Sequence, residues 1–200
     1  MKLNMATLGF SSIKIGIYAK EESGQDEKII KVITIDKKDG GAIEAKIAGL
    51  APEATKLFAS DTAFYVSSSG SGDTKLDLGI ADLGEANAAA ILGATIEKGV
   101  MKITDKTKAP YCAVILESEG LNGDPIHIAL AKGKFSRDSE ELKTGEQKGK
   151  DPVTDSLNGE FISRQDGLVY AKGRGGENSE FEYAEFEKEI FIGYEAPTTP

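Results

Sequence analysis

Two hundred residues are enough for one domain plus loops or an arm, with a core worth burying, and 23 Gly with no Trp suits many turns and short strands. The net charge of −9 and pI near 4.8 exclude the basic stripe that tight nucleic-acid binding requires, and a lone Cys112 excludes an intramolecular disulfide framework. The opening six residues hold one Lys and no apolar run of the ~7–15 residues a secretory signal needs. Nothing approaches the ~20 apolar residues of a membrane span. Synthesis and folding in a cytosol are therefore expected.

Along the chain, Ile13, Ile15 and Ile17 alternate within Ser12–Ala19, which predicts a strand. A charged turn around Gly24 leads to a β-branched second strand, Lys28–Asp36, completing an opening hairpin. Lys37-Lys38-Asp39-Gly40-Gly41 is a turn signal. A third strand follows, with Ile43, Ala45 and Ile47 alternating against Glu44 and Lys46. Pro52–Phe58 is read as holding a helical turn, Thr62–Val66 as a short strand, and the glycines and serines of 67–74 as a mobile tip. Leu76, Leu78 and Ile80 alternate with Lys75, Asp77 and Gly79 as another half-buried strand. The alanine-rich Glu85–Leu92 predicts the one helix, with Asp82 as N-terminal cap and Gly93 as its stop. Val100–Ile103 restarts extended structure. Tyr111–Leu116 and Ile126–Ala131, apolar on both faces, predict central strands joined through Asn122-Gly123-Asp124-Pro125. Residues 133–150 read as a mobile loop or a long exposed connection. Asp155–Arg164 and Leu168–Ala171 predict a closing hairpin about Gln165-Asp166-Gly167.

The character changes at Gly173: residues 173–200 hold seven Glu against one Arg and one Lys, a net −5. The division is thus a β domain over 1–172, with loops near 67–74 and 133–150, and an acidic C-terminal arm over 173–200. Phe181 and Tyr183 alternate with Glu, the parity slips near Ala184 and Glu185, and Phe186, Ile190, Ile192 and Tyr194 resume on the other parity. A strand-like arm with a β-bulge accounts for this slip; a disordered acidic tail is the alternative. These six apolar residues are the candidate contacts to a neighbouring subunit.

Chemistry is thinly represented. His127, the only histidine, sits between Ile126 and Ile128 in a predicted central strand, where a structural role outweighs a catalytic one. Cys112 lies in an apolar run and reads as a buried thiol. One His and one Cys leave any zinc site to carboxylates of no matching spacing. Neither Gly70-Ser71-Gly72 nor Gly173-Arg174-Gly175-Gly176 has the context of a phosphate-binding loop. No catalytic, cofactor or metal residue is assigned.

Three stretches, in order, carry a family likeness. They are Lys75-Leu76-Asp77-Leu78-Gly79-Ile80 running through the helix to Ile91-Leu92-Gly93, then Ala109-Pro110-Tyr111-Cys112-Ala113-Val114, then a block from Lys134-Phe135 through Lys143-Thr144 to Leu157-Asn158-Gly159 and Arg164-Gln165-Asp166-Gly167. Together with the opening strand they resemble, over roughly residues 8–170, the major tail proteins of siphophages that infect Gram-positive bacteria. Cys112 departs from the Val usual there, and the end after Gly173 is too short for the immunoglobulin-like domain some relatives append.

The resemblance implies a mainly β fold, a β-sandwich or open barrel with one flanking α-helix. It implies hexameric rings of a structural virion protein, stacked into a tail tube for DNA passage, without cofactor or enzymatic activity. Partners so implied are further copies of the chain, tape-measure, tail-terminator and distal tail proteins, and double-stranded DNA passing without specific binding. The place implied is the virion tail, after synthesis in the host cytoplasm, with no membrane insertion. Glu44, Lys46, Lys75 and Asp77 are the lumen-facing candidates, the outer wall being the alternative. A monomeric β-sandwich module binding a ligand or carbohydrate is the competing function; the lack of Trp platforms counts against it.

Overall fold

The computed structural model describes residues 7–19, 28–52, 70–140, 154–176 and 180–195, together with the backbone of 55–59 and 62–67. Along the chain run β1 (Thr7–Tyr18), β2 (Ile29–Ile35), β3 (Ala42–Ala48), β4 (Thr55–Ala59), β5 (Thr62–Ser67) and β6 (Thr74–Ile80). Next come α1 (Glu85–Leu92), β7 (Thr95–Glu97), β8 (Val100–Lys102), β9 (Cys112–Gly120) and β10 (Pro125–Ser136). The last elements are β11 (Asp155–Ile162), β12 (Tyr170–Arg174) and α2 (Tyr183–Ile190).

Eight strands form one antiparallel sheet in the order β2-β1-β9-β10-β11-β6-β3, with β12 beside β10; β4–β5 and β7–β8 are separate hairpins. The sheet is open and not closed into a barrel, although β3 curls back near β1. Alternation sets the faces. On β6, Leu76, Leu78 and Ile80 point inward while Lys75 and Asp77 stay exposed. On β9 both faces are buried. Cys112, Val114 and Leu116 join the main core with Ile13, Ile15, Ile35 and α1, and Ala113 and Ile115 line a second core beneath α2. Each fully buried Ile or Leu here contributes about 1.5–3 kcal/mol.

The opening hairpin, the third strand, the 62–67 strand and the two central strands stand where the sequence predicts them; Ile13 pairs with Ile35 and Ile128 with Leu116. Helix α1 keeps its expected bounds and ends at Gly93, whose φ of 70° is left-handed. A Cβ there would also lie 2.2 Å from the Lys108 carbonyl oxygen, so Gly93 is required twice over.

Several expectations are corrected. Asp82 does not cap α1: the N-cap is Gly84, and the Asp82 carboxylate instead accepts from the Gly84 N–H at 3.0 Å, closing a turn ahead of the helix. Thr55–Phe58 lies in strand β4, because pairing with β5 satisfies backbone groups that an isolated helical turn leaves open. Residues 133–136 continue β10, with Phe135 buried against Phe161, so the loop begins later; 141–153 lie outside the described residues. Thr74 opens β6, buried, which shortens the loop read at 67–74. The predicted closing hairpin is split: the turn forms, with Arg164 N–H donating to Leu168 O, but β11 and β12 pair separately with the two halves of β10. Strand β12 runs through Gly173, paired with His127, so no boundary falls between 172 and 173.

The largest correction is the C-terminal segment. It folds as a second helix, α2, lying on its own sheet. Tyr183, Phe186 and Ile190 recur at i, i+3 and i+7, so the parity slip read as a bulge is a helical period. A strand would have split these side chains between two faces, whereas the helix turns them onto one surface of small residues, Gly16, Ala113 and Ala129.

Candidate assembly surfaces

Glu44, Lys46, Lys75 and Asp77 come together on the outer face of β3 and β6, opposite the main core. Register places Asp77 between Lys46 and Asn158, and Lys75 between Ala48 and Glu160. Lys75 and Glu160 approach to 3.7 Å with both side chains largely exposed, a pair worth little in water. The same face continues onto β10, where Lys134 pairs with Glu160 and its ammonium sits 4.3 Å from the Tyr111 ring centroid; Lys132 lies 4.5 Å from the same ring. The face therefore alternates in sign and carries no strong positive field. Tyr111, Lys132 and Lys134 were not singled out by sequence reasoning, because their meeting depends on register and not on spacing.

The six C-terminal candidates fall differently. Phe186 and Ile190 are buried in the second core with Phe191, and Phe181, Tyr183 and Tyr194 pack around them; Ile192 is half-buried, its carbonyl accepting from the Ile29 N–H at 2.9 Å. Two glycines act as sockets. A Cβ on Gly16 would sit 2.8 Å from the Phe191 ring, and one on Gly173 would overlap Phe181 at 1.9 Å. The apolar face of α2 is thus occupied within the subunit, and what it offers outward is charged and mainly acidic: Glu182, Glu185 and Glu189 are exposed, with Lys188 among them.

Two polar side chains fix the helix, Lys14 and Arg164. The Lys14 ammonium donates to the Glu187 carboxylate and lies 5.1 Å from the Tyr183 ring centroid. Burial works to lower the Lys14 pKa, but the hydrogen bonds with Glu187 and Tyr183 prevail and raise it. Arg164, 3 % exposed, donates through Nη1 to the carbonyls of Glu189 and Ile190 at 2.9 and 3.3 Å. It thereby serves the carbonyls that the last turn of a helix leaves open, at the negative end of the dipole. Its other nitrogens grip Asp166, whose pKa falls to about 2 chiefly through that hydrogen bond. None of this was visible beforehand: Arg164 stands 25 residues from its carbonyl partner.

His127 lies beneath the start of α2, its ring centroid 4.4 Å from that of Tyr183, 5.5 Å from Phe181 and 6.3 Å from Phe186. Its Nδ1 is buried and has no hydrogen-bond partner among the described residues. Burial lowers its pKa; Glu117 and Glu187 pull upward and Lys14 downward. The folded state therefore holds the neutral ring while the unfolded chain takes up a proton near pH ~6.5. Stability is expected to fall as pH drops through that value, until the folded form titrates too. Denaturant melts between pH 7.5 and 5 check this: the fall should be present in the natural chain and reduced in His127→Phe.

Cys112 is fully buried and desolvation pushes its thiol up to about 12, so it is an inert core group. No cluster of His, Cys, Asp or Glu among the described residues has metal-binding geometry, and no helix among them is long and apolar enough to cross a membrane.

Residues 2–199 match the family model described as phage tail tube protein. Comparison with curated proteins finds no match.

Proposed function

The chain belongs to the phage tail tube protein family, a family of structural proteins of the virion tail that assemble into a tube, and from that premise we propose the finer reading. The chain is the major tail-tube subunit of a long, non-contractile tail, forming stacked hexameric rings through which DNA passes during ejection. It is made in the host cytoplasm, performs no catalysis, and meets tape-measure, tail-terminator and distal tail proteins along the tube.

The observation that carries this reading is the open sheet. Its edge strands β2 and β3 expose Ile30 and Ile43 at 61 % and 49 %, and unpaired edges of this kind aggregate unless something covers them. Neighbouring copies in a ring cover them by joining edge to edge, and stacking adds a heterologous contact that does not close, giving a filament. We assign the mixed-charge face of Glu44, Lys46, Lys75 and Asp77 to the lumen. DNA slides over a wall that offers no basic stripe to grip its phosphates.

Electron microscopy of the purified chain at rising concentration tests the proposal. Tubes with a central channel are expected, and their reconstruction should put Asp77 on the inner wall. A monomer at every concentration sinks the tube reading and favours a monomeric binding module. Tubes with Asp77 outside remove only the lumen assignment.

A further inference from the structure

The β7–β8 hairpin and the loop after it stand off the main sheet, and they break with the acidity of the rest. Lys98, Lys102, Lys106 and Lys108 are all exposed within eleven residues, against Glu97 and Asp105, in a chain of net −9. Lys102 is held by Glu97 across the hairpin, and among the described residues the other three, all exposed, have no such ion pair. The same projection exposes Ile96, Val100 and Ile103 at 45 %, 55 % and 62 %, three of the nine exposed large apolar side chains among the described residues. Only Met101 turns inward, onto the main core. A finger that is both basic and apolar, on a short two-stranded ribbon with little to hold it, has the composition of an unfilled contact.

The surface that complements it is the outer face of α2. Glu182, Glu185 and Glu189 share one side of the helix, at i, i+3 and i+7, and all are exposed. Glu185 and Glu189 are like charges at i, i+4, and Lys188, the one cation of the helix and exposed beside them, offsets only part of the three negative charges. The two surfaces cannot meet within one subunit. The finger packs on the main-core side of the sheet with α1, and α2 packs on the other side, the two faces of β9 separating them.

We infer that the β7–β8 finger of one copy docks on the outer face of α2 of the next, with Lys98, Lys106 and Lys108 facing Glu182, Glu185 and Glu189, and Val100 and Ile103 covered at the junction. This rests on the tube-subunit reading and names one of its contacts. The contact joins opposite faces of successive copies, so it is heterologous and propagates. Exposed charge pairs contribute modestly one by one, and their collective effect is steering and register, sensitive to salt.

Charge reversal tests it. Lys98→Glu, Lys106→Glu and Lys108→Glu together should raise the concentration needed for assembly about tenfold near 0.1 M salt. So should Glu182→Lys, Glu185→Lys and Glu189→Lys, and mixing the two triple variants should restore heterotypic pairs. As a second measurement, Val100→Cys mixed with Glu185→Cys should form a disulfide-linked pair of copies. Normal assembly of both triple variants, or tubes without the cross-linked pair, overturns the contact while leaving the tube reading intact. A chain that forms neither tubes nor cross-links overturns both.

Discussion

Replacing Arg164 with Ala is expected to cost about 3 kcal/mol of stability, within the range for breaking a buried, charge-assisted cluster. The guanidinium is nearly inaccessible and joins two parts of the chain, the turn at Asp166 and the end of α2. Without it, the carbonyls of Glu189 and Ile190 lose their donor and Asp166 loses its cation. Arg164→Lys should recover little, because one ammonium cannot serve a carboxylate and two carbonyls in a planar fork. Acid separates the two halves of the device. Asp166 is depressed to about 2, so its contribution is present above the ordinary carboxylate range near pH ~4 and is lost as pH falls towards 2. Asp166 is itself half exposed, so that share is small, at most about 1 kcal/mol. Urea melts of the natural chain, Arg164→Ala and Asp166→Asn should therefore order with Arg164→Ala far below the others. Equal stabilities for Arg164→Ala and Asp166→Asn would place the effect in the turn alone and remove the helix clamp.

Truncation after Gly173 is expected to destroy the fold. On the sequence alone, that cut looks like the removal of an arm from an intact monomer. In the structure it removes Phe186, Ile190 and Phe191 from the second core, uncovering Ala113, Ile115, Ala129 and Ile29. Three buried side chains of about 1.5–3 kcal/mol each amount to roughly 4.5–9 kcal/mol, comparable to the whole stability of an ordinary domain. The shortened chain should bind a hydrophobic dye and lose its cooperative melt; a cut after Tyr194 should do neither. A truncated chain with a sharp, near-natural transition would show that α2 is dispensable to the monomer. Because of this, loss of tubes on truncation cannot by itself report an inter-subunit role for Phe181, Tyr183, Phe186, Ile190, Ile192 or Tyr194. The outward glutamates of α2 are exposed and outside the second core, so replacing them leaves that core intact.

Much of the sheet could be read from alternation. Leu76, Leu78 and Ile80 declare their face by spacing alone, and Tyr111–Leu116 is apolar on both parities because it lies between two cores. Helix α1 declared itself by alanine content and the glycine that stops it. Helix α2 was misread because its glutamates alternate with aromatics at its start, mimicking a period of two, while the i, i+3, i+7 recurrence emerges only from Tyr183 onward. Of the candidate site, the four charged residues of β3 and β6 were legible as outward positions. Their continuation to Lys134 and Tyr111 was not, since strand order is a long-range choice that no local pattern encodes.

Length, acidity and the two periods of the apolar residues settled that this is an acidic, β-rich chain with a polar face on β3 and β6, while the tail-tube likeness rested on the order of its motifs. Those are properties of composition and of nearest neighbours along the chain, and they survive any change of partner. Tertiary structure decided what the acidic C-terminal segment does. Whether Phe186, Ile190 and Phe191 turn inward depended on Gly16, Ala113 and Ala129 presenting a surface shallow enough to seat them, and on Arg164 reaching the helix end. Those residues are brought together only by the pairing of β1, β9 and β10. That is why a segment read as an arm reaching for a neighbour is, within the subunit, a lid on its own second core with its charge turned outward.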